Sequence, residues 1–275
     1  MIEIKTVKKG AELVSLQVDG FEKIHDGVEF WNRHSPILFP IVGKLKDGKT
    51  IIEGKEYEMG QHGFARDMEF EEIGENSYVL KYNEETLKKY PYKFELYVSY
   101  ELDNFKNKVY VKYKVKNVDD KKIYFGLGGH PAFNCEYSSG KYRLEFDKEE
   151  DNIEFYHLQN GLLVNYPLEP NKYMRENRIF LDKDTFNDDA IIMKNIFSDR
   201  VFLKTENKLI LTFGFDKFNY LAIWSKPGAP FLCIEPWFNT ADHTDSDGIF
   251  KNKDNIIELD VGNEFEAEYW VRFNS

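Results

Sequence analysis

Residues 94–102, FELYVSYEL, and residues 109–116, VYVKYKVK, alternate apolar and polar side chains along their length. A period of two puts every second side chain on the same face of an extended chain, so each run reads as a strand with one buried face. The pattern continues outward from this pair. Residues 201–213 (VFLKTENKLILTF) read as a hairpin turning at Glu206-Asn207, and residues 255–273 (NIIELDVGNEFEAEYWVRF) as two strands turning at Gly262-Asn263. Runs bounded by Gly, Asn and Asp signal antiparallel sheet. Helical periodicity is confined to one short candidate, residues 84–89 (EETLKK), stopped by Pro91. No linker, low-complexity segment or repeat divides the chain. The expected fold is all-β, a large antiparallel β-sandwich with very little helix, residues 1–275 forming one domain.

Composition narrows the function. The chain has 275 residues, 42% hydrophobic and 16% aromatic. The aromatic excess favours strands and also suits sugar binding, where ring faces stack on pyranose C–H groups. The formal net charge of -11 repels nucleic acid and anionic membrane, so neither is expected as a partner. It does not forbid an anionic substrate, because a local arginine pair outweighs a screened distant field. Residues 1–13 carry no apolar signal region, and no apolar run approaches the roughly 18 residues of a membrane span. The cytoplasm is the expected location. Cys135 and Cys233 are too few for a disulfide framework and read as small buried hydrophobes in a reducing compartment. His25, His34, His157 and His243 lie in polar contexts and read as surface residues, with His34 notable for neighbouring Arg33.

Three segments depart from plain strand. In Gly60-Gln-His-Gly-Phe-Ala-Arg-Asp67, glycine after His62 suggests a bend that projects the ring into a cleft. Arg66 offers a fork of donors for hydroxyls, carboxylates or phosphates; a surface loop with a solvated arginine fits the same residues. In Phe125-Gly-Leu-Gly-Gly-His-Pro-Ala-Phe-Asn134, three glycines allow close backbone approach, and Pro131 holds His130 extended and permits a cis bond. A rigidly held histidine is a good proton donor, although a structural bulge with a satisfied histidine is equally compatible. No GK[ST] ending and no helix follow, so this is not a phosphate loop. In Phe231-Leu-Cys-Ile-Glu-Pro-Trp-Phe-Asn239, alternation puts Phe231, Cys233, Glu235 and Trp237 on one face. Apolar surroundings should raise the Glu235 pKa and strengthen it as a base, Pro236 should end the strand near a rim, and Trp237 is then placed to stack on a ring. A buried ion pair is the competing reading of Glu235.

Together these segments resemble the aldose 1-epimerase family, in particular its bacterial LacX-like branch. The resemblance rests on Ser35-Pro-Ile-Leu-Phe-Pro-Ile-Val-Gly43, Gln61-His-Gly-Phe-Ala-Arg66, Gly129-His-Pro-Ala-Phe-Asn134 and Glu235-Pro-Trp237, in the family's order, and covers essentially the whole chain. It implies a β-supersandwich and the interconversion of hexose anomers without a cofactor or metal. It implies His130 as general acid, Glu235 as general base, and His62 as a second histidine on a sugar oxygen. Arg66, with Arg33 as a second candidate, matches the arginines that related hexose-6-phosphate epimerases place on the phosphate. Asp189, with Asp188 competing, matches the sugar-binding aspartate, and Asn134 and Trp237 join the substrate-binding set. Where galactose-specific mutarotases carry an arginine-containing segment, this chain reads Gly43-Lys-Leu-Lys-Asp47, so the identity of the sugar, free or phosphorylated, stays open. Three other readings share these residues. They are a metal site built from His62, His130 and Glu235, a non-catalytic sugar-binding module, and a glycoside hydrolase or lyase, which would normally need a second carboxylate.

Overall fold

The alternating runs become strands. In the computed structural model, which describes residues 1–168 and 172–274, Phe94–Asp103 pairs antiparallel with Lys108–Asn117, Tyr100 opposite Val111. On its other side Lys108–Asn117 pairs with Glu264–Phe273, where Val111 faces Tyr269. Val109, Val111, Tyr113 and Val115 are buried while the residues between them stay partly exposed, which is the period-two pattern read from sequence. Arg200–Lys204 and Leu209–Gly214 form the expected hairpin, closed by Thr205 N–H donating to the Lys208 carbonyl. They join this antiparallel sheet of ten strands, which runs from Met174–Arg175 at one edge to Glu71–Gly74 at the other.

A second antiparallel sheet is built around Phe231–Trp237, with Tyr220–Trp224 on one side and Gly128–Gly129 and Ala132–Asn134 on the other. It faces the ten-stranded sheet across the main core. Phe133 crosses the layer to meet the rings of Phe213 and Phe273 at 6.0 and 6.2 Å, each an edge-on contact. Every residue of Phe231–Trp237 is buried, because both faces are covered. Leu232 and Ile234 enter the main core, whereas Phe231, Cys233 and Trp237 pack into two smaller clusters on the opposite face. Glu235 belongs to that second face, so the alternation expected for this strand holds.

The α-helix is Glu84–Lys89, as expected, and its start is a capping box. The Asn83 side chain accepts from the Glu85 and Thr86 amides, and the Thr86 hydroxyl accepts from Asn83 N–H. Two details differ from the sequence reading. Residues 255–273 do form two strands, but they pair with different partners. Ile257–Leu259 pairs with Ile123–Phe125, and the turn at Gly262-Asn263 passes the chain from that small sheet into the large one. The cis peptide bond lies at Phe39–Pro40 and not at Pro131. No helix among the described residues is long and apolar enough to cross a membrane.

Gly129, next to His130, packs directly against the large sheet. A Cβ there would stand 2.7 Å from Tyr269 Cε1 and 3.0 Å from the Tyr113 hydroxyl, both rigid aromatic groups of the large sheet. Gly129→Ala should therefore cost about 1–3 kcal/mol through overpacking. The check is urea denaturation, where the midpoint should fall with an unchanged slope; an unaltered midpoint would show that the tyrosines yield.

Candidate active site

Glu235 is carried into the protein by a strand buried at every position, and the residue is 1% exposed. Opposite it, the short strand Gly128–Gly129 delivers His130, whose Nε2 lies 3.2 Å from Glu235 Oε2. A third chain segment brings His62, at positive φ (65°), so that its ring meets His130 edge-on with centroids 5.4 Å apart. These three residues open on one cavity of about 360 Å³, a size suited to a single small ring.

The walls are aromatic. Trp237 forms one side; Trp31 stacks on the His130 ring at 4.8 Å and meets Trp224 edge-on at 5.7 Å. Trp31 and Trp224 were not singled out from the sequence, nor was Gln61 as a lining residue. The available signal for Trp31 was its place two residues ahead of Arg33, on the same loop. Arg33 and Arg66 both reach the cavity and share Asp67: Arg33 Nη2 lies 2.9 Å from Asp67 Oδ1, and Arg66 Nε 3.9 Å from Oδ2. Arg66 also donates to the Gln61 carbonyl at 2.7 Å, fixing the backbone beside His62.

Asp189, at positive φ (76°), lines the cavity, while Asp188 points into an adjoining depression and pairs with Lys172 at 3.6 Å. Asp189 also borders that depression, and of the two it is the one that lines the cavity. Asn134 is not brought to the cavity. It is exposed, and its amide donates to the Glu22 carbonyl, because the strand alternation that buries Phe133 turns Asn134 the other way. His25 is buried and not a surface residue; its Nε2 meets the Trp31 carbonyl and its ring lies 4.5 Å from Phe231. His34 is half-buried against Glu12, which raises its pKa, chiefly through their side-chain contact. Cys135 and Cys233 are buried free thiols. Potential metal donors among the described residues group at His130, Cys233 and Glu235, within 4.8 Å of one another, a different set from the two-histidine, one-carboxylate triad weighed above as an alternative.

Electrostatics follow from burial. Loss of hydration pushes the Glu235 carboxyl well above the ordinary carboxylate range; Asp189 adds to this and the Trp237 indole opposes it. Burial lowers the His130 pKa to about 3, with Arg66 and Arg33 adding repulsion. His62 is lowered well below 6.5 by burial and by His130, Arg66 and Arg33. The pair is therefore held uncharged, a protonated carboxyl beside a neutral imidazole, and can pass one proton between facing atoms. Among the described residues, Glu235 Oε2 and Trp237 Nε1, both on the cavity lining, make no hydrogen bond of good geometry, which leaves polar capacity for a guest.

The all-β sandwich that carries this cavity is a galactose mutarotase-like fold. The chain belongs to the aldose 1-epimerase family, whose pattern matches residues 2–248. It is 33% identical to the plasmid-encoded protein LacX of Lactococcus lactis subsp. lactis over 280 residues, covering 94% of this chain and 91% of that protein. Its fold matches that of a galactose mutarotase related enzyme from Lactobacillus acidophilus with a TM-score of 0.90 and 33% identity, covering 100% of this chain and 95% of the other. A galactose mutarotase-like protein from Lactobacillus casei matches with a TM-score of 0.89 and 29% identity, covering 99% and 97%. Family membership supports a carbohydrate epimerase, an isomerase with a sugar substrate.

The retained proton of Glu235 has a cost. On unfolding, the carboxyl regains its ordinary pKa and ionises, so at any pH above that range the wild-type side chain favours the unfolded chain. Its contribution to folding is complete below about pH 4 and is lost as pH rises toward the folded value. Glu235→Gln should then be more stable than wild type by about 1–3 kcal/mol at pH 8 and nearly equal to it at pH 4. Urea denaturation at the two pH values tests this; a difference independent of pH would mean the carboxyl is not held protonated.

Proposed function

We propose that this protein is an aldose 1-epimerase that interconverts the α and β anomers of a hexose by acid–base ring opening. The observation that carries the reading is the 3.2 Å approach of His130 Nε2 to Glu235 Oε2 on the wall of a cavity sized for one pyranose. The two oxygens that must exchange protons, O1 and O5, are both bonded to C1. A donor and an acceptor one hydrogen bond apart therefore match them.

With sugar in place, Glu235 as carboxylate takes the O1 proton while the His130 imidazolium gives a proton to O5. The C1–O5 bond breaks, the aldehyde turns about C1–C2, and the ring closes on the other face with the roles reversed. The pair enters and leaves the cycle with the same number of protons, so neither redox chemistry nor a cofactor is called for. Entry of a polar ring in place of water strengthens each of these contacts. His62 and Asp189 orient the hydroxyls, and Trp31 and Trp237 supply faces for the C–H groups. A binding module would not need a carboxyl raised and an imidazole lowered on facing atoms.

One observation favours a second substrate reading, a hexose 6-phosphate. Arg33 and Arg66 reach the same cavity and are pre-aligned on Asp67, a carboxylate that a phosphate could replace as their partner. Saturation-transfer NMR across glucose, galactose and their 6-phosphates separates the two. Glu235→Gln and His130→Asn should each slow anomer exchange by at least about 10²-fold in folded protein. Near-normal exchange in either variant would remove the assigned acid or base. If the phosphate is the substrate, Arg66→Met should raise KM for the 6-phosphate at least about tenfold and leave the free hexose within about twofold. An equal effect on both would leave the free sugar as substrate.

A further inference from the structure

The hydrogen bonding around His62 assigns a role to its neighbour Gln61. Gly43 N–H donates to His62 Nδ1 at 3.1 Å, and His62 N–H donates back to the Gly43 carbonyl at 2.8 Å. A backbone N–H can only donate, so Nδ1 must be the bare nitrogen of the ring. Gly43 cannot drift away from this contact. It sits at φ +69°, and a Cβ would stand 2.6 Å from Ala241 Cβ, so the loop is clamped against the opposite side of the cavity. The ring is buried, with His130, Arg66 and Arg33 disfavouring a second proton. His62 is thus neutral, with its single proton on Nε2.

That nitrogen lies 3.3 Å from Gln61 Nε2, which would set two donors face to face. Because His62 Nε2 carries the proton, the carboxamide, whose oxygen and nitrogen exchange places by a simple flip, is assigned with its oxygen toward the ring. The result is a directed relay, Gly43 N–H to His62 Nδ1, then His62 Nε2–H to Gln61 Oε1. Gln61 and His62 both line the cavity beside His130 and Arg66. The Gln61 backbone is held by Arg66, so side-chain rotation is its remaining freedom.

We propose that Gln61 is a specificity-determining residue: with His62 it reads one sugar hydroxyl as donor and acceptor together, the hydroxyl entering between His62 Nε2–H and the Gln61 carboxamide. A hydroxyl satisfies both groups at once; an ether oxygen there accepts from His62 but leaves Gln61 Oε1 without a donor, and a hydrogen offers neither group a partner. This rests on the epimerase reading of the site, but its geometry stands on the His62 tautomer.

The test uses full-length protein. Ring 15N–1H correlation spectra should show His62 with Nδ1 unprotonated and Nε2 protonated from about pH 5.5 to 8, without titrating. Gln61→Met, nearly isosteric, should raise KM about tenfold with kcat within about twofold and an unchanged pH profile. Across a series of monodeoxy glucoses, one analogue should lose about tenfold in wild type and nothing further in Gln61→Met, which marks the hydroxyl that is read. The same cycle can be read from equilibrium sugar binding by NMR titration. A protonated Nδ1, or a Gln61→Met effect that falls equally on every analogue, overturns the proposal even where anomer exchange is normal. Intact tautomer and binding cycle without anomer exchange would overturn the epimerase reading and leave this one standing.

Discussion

The structure is organised around a carboxyl placed where a carboxylate is unwelcome. Glu235 lies in the middle of a sheet, on a strand covered on both faces, with the His130 ring as its polar neighbour 3.2 Å away. An ionised carboxylate at such a depth costs several kcal/mol unless paired. Burial holds the carboxyl protonated and the imidazole neutral, so the pair stores a proton without storing charge. Such a pair is stable enough to fold and is one proton transfer away from a base facing an acid. The sandwich makes this tolerable by rigidity. Phe133 ties the layer below His130 to Phe213 and Phe273 of the large sheet, and the glycine next to His130 lets that sheet's tyrosines approach closely.

Around this fixed pair, Trp224 and Trp237 stand on strands and the other lining side chains named here come from loops and turns. The segment after residue 60 brings His62 and Arg66, the loop before residue 34 brings Trp31 and Arg33, and the turn at Asp189 closes the far side. The division is physical. Glu235 sits within a strand and His130 directly follows one, so their spacing is tied to the core, whereas side chains on loops can vary without disturbing it. The two arginines show the same economy. Asp67 hydrogen-bonds Arg33 and lies 3.9 Å from Arg66, so one carboxylate serves both charges.

Much of this was legible in the sequence. Period-two alternation in 94–116 and 201–213 yielded the large sheet, and alternation within 231–237 put Glu235 opposite the core, where the structure has it. His62, His130, Arg33, Arg66, Asp189 and Trp237 converge on one cavity. What stayed hidden depended on partners distant in the chain. Asn134 belongs to a promising motif, but its strand turns it outward. Trp31 and Trp224 lie nearly 200 residues apart in the sequence, and no local pattern announces that they meet. His25 looked solvated because its neighbours are polar, yet Trp31 and Phe231 close over it. The pairing of Ile257–Leu259 with Ile123–Phe125 was likewise a choice made by the core, since a turn at Gly262 permits either partner.

If His130 and Glu235 address the two oxygens on C1 of one bound pyranose, a crystal structure of Glu235→Gln with a reducing hexose will show it. The ring should lie inside the aromatic cavity, with O1 and O5 each within hydrogen-bonding distance of one member of the pair and His62 on a neighbouring oxygen. A sugar bound with its reducing end turned to solvent, or seated elsewhere on the protein, would contradict it.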